Sequence, residues 1–196
     1  YVPPLAKDRI ITILGLGTLG TACGIALKRL GFNVRGWSRR EKRVDGIICF
    51  YGDDQVDSSL MDADIVVLLL PDTPLTQNIL NQHTLNLLKR GAFVLNPGRG
   101  PLIDDDALLA ALDSGQIEHA TLDVFRIEPL PQPHQYWSNN KVTVIPHKAS
   151  ETRPKTASQV IAMNIGRAEN GQELLYLVDL SLIHNSEPTR RALISY

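Results

Sequence analysis

Two things are scarce in these 196 residues: cysteine and uninterrupted apolar sequence. The 2 cysteines, Cys23 and Cys49, form no C-x-x-C and stand beside no paired histidine spacing, which argues against a disulfide framework or a metal site. Both read as buried free thiols in a reducing, cytoplasmic compartment. The longest strongly apolar run, Ile65 to Leu70, is closed by Pro71 and is far too short to span a bilayer. Tyr1 to Lys7 offers no apolar stretch of a signal peptide, so no secretory leader is expected. Charge of one sign is lacking too. With 20 basic against 21 acidic residues the net charge is -1, and no long-range field favours nucleic acid or an acidic membrane. What remains, a hydrophobic share of 43% and a charged share of 21%, suits a globular chain with a substantial core in a single unit.

The stretch from Arg9 to Gly20, RIITILGLGTLG, organises the rest. A run rich in β-branched residues, Ile10 to Leu14, enters a G-x-G-x-x-G turn made by Gly15, Gly17 and Gly20, and a helical pattern follows from Thr18 to Leu30. Gly15 permits a sharp turn, Gly17 lets a pyrophosphate approach the backbone, and Gly20 lets the helix lie close to the strand. The amides of Thr18 and Leu19 would face the phosphates at the positive end of the helix dipole. Three glycines at this spacing also occur in plain structural turns. Here the flanking strand and helix patterns are both present, and a dinucleotide site is the expectation.

Gly31 stands where a helix cap belongs, and Asn33 to Trp37 reads as the second strand. In an NAD site, a carboxylate about 20 residues beyond the glycine turn accepts the ribose 2′-hydroxyl, whereas arginine suits a 2′-phosphate. This chain has Trp37, Ser38, Arg39 and Arg40 there, with the first acid, Glu41, beyond them. Guanidinium forks match phosphate oxygens, so NADPH is favoured over NADH; the plain alternative is a solvated basic loop.

Further strands are expected at Ile47 to Phe50, Asp64 to Leu70, Ala92 to Leu95, Ala120 to Val124 and Lys141 to Ile145. The Asp64 to Leu70 run is apolar enough for a parallel strand buried on both faces. A short helix or turn is expected at Val56 to Met61, and helical pieces at Thr76 to Leu80, His83 to Arg90, after an Asp104 cap, and from Arg153-Pro154 to about Asn170. In the helix after Asp104, the acids Asp105 and Asp106 occupy the first turn as structural residues, and Leu108, Leu109, Ala111 and Leu112 form the buried face. In the last helix, Val160, Ile161, Asn164 and Ile165 recur at helical intervals. Strands alternating with helices make this an α/β chain with a doubly wound, mostly parallel sheet.

Three polar residues then stand out because each follows a strand end, hence one edge of a parallel sheet: Arg99, Glu128 and His147. Arg99 sits in the stiff Asn96-Pro97-Gly98-Arg99-Gly100-Pro101 loop, Glu128 in a proline-rich irregular segment, and His147 after Pro146. Beside a nicotinamide they suit reduction of a 2-oxo acid. Arg99 would hold the carboxylate and polarise the carbonyl, His147 would supply the proton, and Glu128 would fix the imidazole tautomer and favour its charged form. Singly, each also reads as an ion pair, a solvated loop acid or a carbonyl-bonded histidine. His83, His119, His134 and His184 are assigned no chemistry.

The pieces ILGLGTLG, WSRR, VVLLLPDTPLTQNIL, LKRGAFVLNPGRGPLIDDDALLAALDSG, ATLDVFRIEPLP and IPHKASETRP, from about Arg9 to Leu180, resemble the D-isomer-specific 2-hydroxyacid dehydrogenases, most closely their glyoxylate/hydroxypyruvate reductase branch. The resemblance implies that Arg99 binds substrate, Glu128 partners the histidine and His147 is the acid/base. It implies that Leu70, Pro71, Thr76, Pro97, Gly98 and Asp123 line the cofactor, with Asp123 near the nicotinamide amide. It also implies cofactor domains paired as a homodimer and a small 2-oxo or 2-hydroxy acid as substrate. Family members begin with a separate substrate-binding domain, so residues 1–8 read as its lead-in, 9–180 as the dinucleotide-binding Rossmann domain, and the chain as a fragment. The stretch 181–196, SLIHNSEPTRRALISY, departs from the family and reads as a non-native, poorly packed tail. Two other functions share the pattern: a dinucleotide-sensing module like corepressors of this fold, and an NADH-dependent hydroxyacid dehydrogenase.

Overall fold

Among the described residues seven short stretches, most of them rich in Ile, Val and Leu, become strands because each can bury side chains on a pleated surface. They are β1 (Ile10–Leu14), β2 (Asn33–Ser38), β3 (Ile48–Tyr51), β4 (Ile65–Leu68), β5 (Ala92–Asn96), β6 (Ile117–Leu122) and β7 (Val142–Val144). In the computed structural model, which describes residues 4–150 and 152–177, they form one sheet in the order β3-β2-β1-β4-β5-β6-β7. Every pairing is parallel, with Ile10 opposite Asn33 on one side of β1 and Ile11 opposite Ile65 on the other. The chain therefore builds outward from β1 to β3, returns, and builds outward again from β4 to β7. The reversal lies between β1 and β4, where open α/β sheets form their ligand crevice.

Helices α1 (Thr18–Arg29), α2 (Val56–Leu60), α3 (Gln82–Leu87) and α4 (Asp105–Asp113) connect the strands. One face of the sheet carries the larger core, in which Leu14, Leu68 and Val94 meet Leu60 of α2, Leu85 of α3, and Leu108 and Leu112 of α4. The other face carries a smaller core of Ile11, Ile13, Val34 and Ile47, against which Leu27 of α1 packs. Asp104 caps α4 through its side chain, which accepts from the Ala107 amide at 3.1 Å, while Asp105 and Asp106 fill the first turn. Leu108, Ala111 and Leu112 are buried and Leu109 is half-buried, close to the expected face.

Some local expectations are corrected. Cys23 is exposed, because α1 buries its glycine stripe, Gly20 and Gly24, and turns Cys23 to the other side; Cys49 is half-buried. Thr76 to Leu80 is a turn, not a helix: Asn78 has φ 54°, and Leu80 pairs with Ile103 as an isolated parallel bridge. Strand β6 begins at Ile117, earlier than the Ala120 expected, because polar Glu118 and His119 lie within it, one exposed and the other half-buried.

The chain divides into two compact units, 1–149 and 150–196, where sequence led us to expect one. The second contains α5 (Pro154–Glu169), which starts with Pro154 in its first turn. The Asn164 side chain ties this helix to the segment after it, accepting from the Leu175 amide at 2.8 Å and donating to the Leu175 carbonyl at 3.1 Å. The expected apolar stripe does not make a core here: no residue of α5 is buried. The expected tail, 181–196, lies outside the described residues. Among those described, no helix is long and apolar enough to cross a membrane.

Candidate active site

The glycine turn after β1 is shaped by what cannot be there. A β-carbon on Gly15 (φ 113°) would lie 2.4 Å from the Leu69 carbonyl oxygen, and one on Gly20 would lie 1.8 Å from the Gly15 carbonyl oxygen. These two glycines let the turn touch the loop after β4 and let α1 begin directly above β1. Gly17 differs: a β-carbon there would meet nothing within 4 Å. Gly17 is also the N-cap of α1 and has no side chain to cap it, and the first turn holds no acid. Thr18 and Leu19 are exposed, so their amides are uncapped donors facing open space. That cradle fits a pyrophosphate.

Around it stand the other residues expected to hold a dinucleotide. Leu70 is buried and Pro71 exposed in the loop after β4, and the Thr76 hydroxyl closes that loop, donating to the Pro71 carbonyl at 2.7 Å and accepting from the Thr73 amide at 2.9 Å. Pro97 is half-buried and Gly98 buried beside β4, where a Gly98 β-carbon would come within 2.8 Å of the Leu68 carbonyl oxygen. At the end of β2 the Trp37 ring is buried in the larger core and its indole N–H donates to the Gly52 carbonyl at 2.8 Å, so its ring faces the core. The Ser38 hydroxyl donates to the Arg40 carbonyl at 2.8 Å. Arg39 and Arg40 are exposed, and among the described residues neither has an ion-pair partner. Glu41, the nearest acid, is bound instead by Arg43 at 3.1 Å. The electrostatics at the end of β2 therefore suit a phosphate better than a ribose hydroxyl.

Arg99, Glu128 and His147 follow the C-terminal ends of β5, β6 and β7. His147 Nδ1 lies 2.8 Å from Glu128 Oε2, and the other oxygen, Oε1, accepts from the Phe125 amide at 3.0 Å. A carboxylate is only an acceptor, so Nδ1 carries the hydrogen and Nε2 is left to face a reactant. His147 itself has φ 51°, a left-handed conformation uncommon for a residue with a side chain and frequent at functional sites. Arg99 is exposed, and its Nη1 donates to the Gly98 carbonyl at 2.7 Å. The next residue joins its turn to that of Glu128: a β-carbon on Gly100 would lie 2.0 Å from the Phe125 carbonyl carbon and 2.4 Å from the Arg126 nitrogen. The two backbones thus touch with no side chain between them.

Three participants escaped the sequence reading. Asn96, at the end of β5, is buried and bonds twice to the Arg99 turn. Arg126 donates to the Asn78 side chain and the Ile103 carbonyl, and its Nε lies 3.6 Å from Asp105, joining the loops after β4, β5 and β6. Tyr136 donates to Asp105 at 2.8 Å, and burial, then the adjacent Asp105 carboxylate, hold its phenol well above its ordinary pKa. Asparagine before Pro-Gly is the one local sign that could have pointed to Asn96; nothing local marks the others. Asp123, expected near a nicotinamide, is buried with both carboxylate oxygens engaged by the amides of Lys148 and Ala149.

The sequence profile described as D-isomer specific 2-hydroxyacid dehydrogenase, NAD binding domain, matches residues 4–149. Over 172 residues the chain is 45% identical to glyoxylate/hydroxypyruvate reductase A of Serratia proteamaculans, covering 88% of this chain and 55% of that protein. Over 176 residues it is 40% identical to the protein of the same name from Photorhabdus laumondii, covering 90% and 56%. The chain thus spans about half the length of the curated relatives it matches. Among solved structures, a D-isomer specific 2-hydroxyacid dehydrogenase from Xanthobacter autotrophicus in complex with NADPH and MES superposes with a TM-score of 0.87 at 46% identity, covering 91% of this chain and 74% of that one. An NADPH-dependent glyoxylate/hydroxypyruvate reductase from Sinorhizobium meliloti, in complex with NADP and sulfate, gives 0.88 at 33% identity, covering 93% and 59%.

Proposed function

This chain belongs to the D-isomer-specific 2-hydroxyacid dehydrogenase family, and from that premise we propose that it is the cofactor-binding and acid/base part of a reductase of small 2-oxo acids such as glyoxylate or hydroxypyruvate. NADPH is the cofactor we assign, supported by the open cradle at Gly17, by Arg39 and Arg40, which have no ion-pair partner among the described residues, and by relatives solved with NADPH or NADP. When bound, it supplies a hydride to the carbonyl carbon of the acid. Gly15, Gly17, Thr18, Leu19 and Gly20 hold its pyrophosphate. Ser38, Arg39 and Arg40 hold the 2′-phosphate, and Trp37, whose carbonyl accepts from the Gly15 amide at 2.9 Å, ties that strand end to the glycine turn. Leu70, Pro71, Thr76, Pro97 and Gly98 line the path toward the nicotinamide.

The observation that carries the reading is the Glu128–His147 pair at 2.8 Å, joined through Gly100 to the Arg99 turn at the edge that also holds the glycine turn. Arg99 grips the substrate carboxylate through paired N–H donors and places positive charge near the carbonyl oxygen. His147 gives a proton from Nε2 to that oxygen as negative charge develops on it. Glu128 keeps the ring in the right tautomer and compensates the imidazolium while it exists. The products are the 2-hydroxy acid and the oxidised cofactor. We place the enzyme in the cytoplasm as a homodimer through the cofactor domain, and assign residues 9–180 to that domain.

The test is a spectrophotometric screen of a full-length protein carrying this chain, with NADPH and NADH against glyoxylate, hydroxypyruvate and pyruvate. His147→Ala should lower kcat by about a thousandfold, within the range of general acid catalysis, while the NADPH dissociation constant stays nearly unchanged. Binding of NADPH with no consumption on any of the three acids would refute the reductase.

A further inference from the structure

Two buried polar side chains at neighbouring strand ends have no part in the chemistry above. Asn96 closes β5 and Asp123 follows β6, and they are 1% and 3% exposed. Buried polar atoms are unfavourable unless bonded, so the partners these two select are informative. Each selects the backbone of a turn that carries a functional side chain. Asn96 Nδ2 donates to the Arg99 carbonyl at 2.9 Å, and its Oδ1 accepts from the Gly98 amide at 3.1 Å. Asp123 Oδ1 accepts from the Lys148 amide at 2.7 Å and Oδ2 from the Ala149 amide at 3.0 Å, while its carbonyl accepts from the His147 amide at 2.8 Å. The two hubs are joined directly: the Asp123 amide donates to the Asn96 carbonyl at 3.0 Å.

We infer that Asn96 and Asp123 are positioning residues, the first for Arg99 and the second for His147. The bond between them fixes the separation of the carboxylate anchor from the proton donor. The inference rests on the reductase reading above. His147 to Ala149 are all exposed, and His147 is left-handed at φ 51°, so the turn has little packing of its own to hold that conformation. A buried carboxylate bridging the next two amides supplies it. Asparagine at position 123 would offer one acceptor and set an NH2 against the other amide. Asp123 therefore acts on the histidine turn through both of its carboxylate oxygens.

The experiment uses the full-length protein with Asn96→Ala, Asp123→Asn and Ala149→Pro, the last deleting one donor at an exposed position without touching the buried acid. Asn96→Ala should raise KM for the oxo acid about tenfold with kcat nearly kept, and Asp123→Asn should lower kcat about tenfold or more with KM nearly kept. Ala149→Pro should follow Asp123→Asn with a smaller fall, and the NADPH dissociation constant should hold in all three. Amide hydrogen exchange at Lys148 and Ala149 should be slow in the wild type despite their exposure and about tenfold faster in Asp123→Asn, with residues 15–20 unaffected. Loss of kcat alone by one factor in Asn96→Ala and Asp123→Asn would mean less folded enzyme and overturn the inference. So would NADPH binding weakened in Asp123→Asn as much as turnover, or free exchange at Lys148 and Ala149 in the wild type. A wild type that reduces no oxo acid would remove the reductase reading and this inference together.

Discussion

The turn after β1 and the turns after β5, β6 and β7 meet the same requirement, a fixed backbone at a sheet edge, by opposite means. The first is held by missing side chains: Gly15 and Gly20 let main chains approach to distances that a β-carbon would forbid. The others are held by side chains that reach backbone: Asn96 and Glu128 accept from amides of their own turns, and Asp123 accepts from an amide of the turn after β7. Close steric approach specifies a shape with few residues, as at Gly15 against Leu69 and Gly20 against Gly15. Side-chain bonding works within a turn at Asn96 and Glu128 and between turns at Asp123, where it ties together segments 25 residues apart in sequence.

Within the glycine turn, the sharpest contrast is between two substitutions. Gly20→Ala should destabilise the fold by ~3 kcal/mol or more, read as a lower urea midpoint, since its β-carbon would collide with the Gly15 carbonyl and backbone cannot yield as a side chain can. Gly17→Ala should leave the unfolding free energy in urea within about 0.5 kcal/mol of wild type, apart from the difference in backbone freedom, yet weaken NADPH binding by about tenfold or more through the methyl group in the cradle. Equal effects of the two on stability would end the distinction between glycines that shape the turn and the one that admits the ligand.

A smaller effect is expected at the end of β2. Arg39→Ala/Arg40→Ala should lower kcat/KM with NADPH by about tenfold relative to NADH, in keeping with the loss of charge-assisted phosphate contacts. An unchanged preference would return this segment to a solvated loop.

The smallest effect lies at the side-chain-held end. Burial and the Asp105 carboxylate keep the Tyr136 phenol neutral in the folded state above its ordinary pKa. The unfolded phenol ionises near pH 10, so above that pH the unfolded chain binds fewer protons and stability falls; below it the contribution is complete. Tyr136→Phe should therefore cost about 1 kcal/mol at neutral pH, from the bond to Asp105, and flatten the stability loss between about pH 10 and 11. Urea midpoints across that range measure both.

How far the sequence could be read follows from the same contrast. The glycine turn, the alternation of strand and helix, the Asp104 cap and the strand-end positions of Arg99, Glu128 and His147 all depend on local pattern, and each has its counterpart in the structure. Cys23 was placed on the wrong side of α1 because a stripe of glycines, not of large apolar residues, faces the sheet. Residues 76–80 read as helix because nothing in their order reveals that Asn78 turns left-handed against the loop after β5. The partners of Asp123 lie 25 and 26 residues away, outside any local window, and although those of Asn96 are only 2 and 3 residues on, nothing in the order of residues shows that its amide bonds them.

The contact at Gly100 has a consequence for motion. With the Arg99 turn lying backbone to backbone on Phe125 and Arg126, and with Asn96 bonded to Asp123, the turns that carry the guanidinium and the imidazole are tied to each other through the backbone. On the reductase reading, any opening and closing around a bound acid would carry these two turns together. Fitting a longer substrate would then fall to the opposite wall, because the backbones here leave no room for a side chain between them.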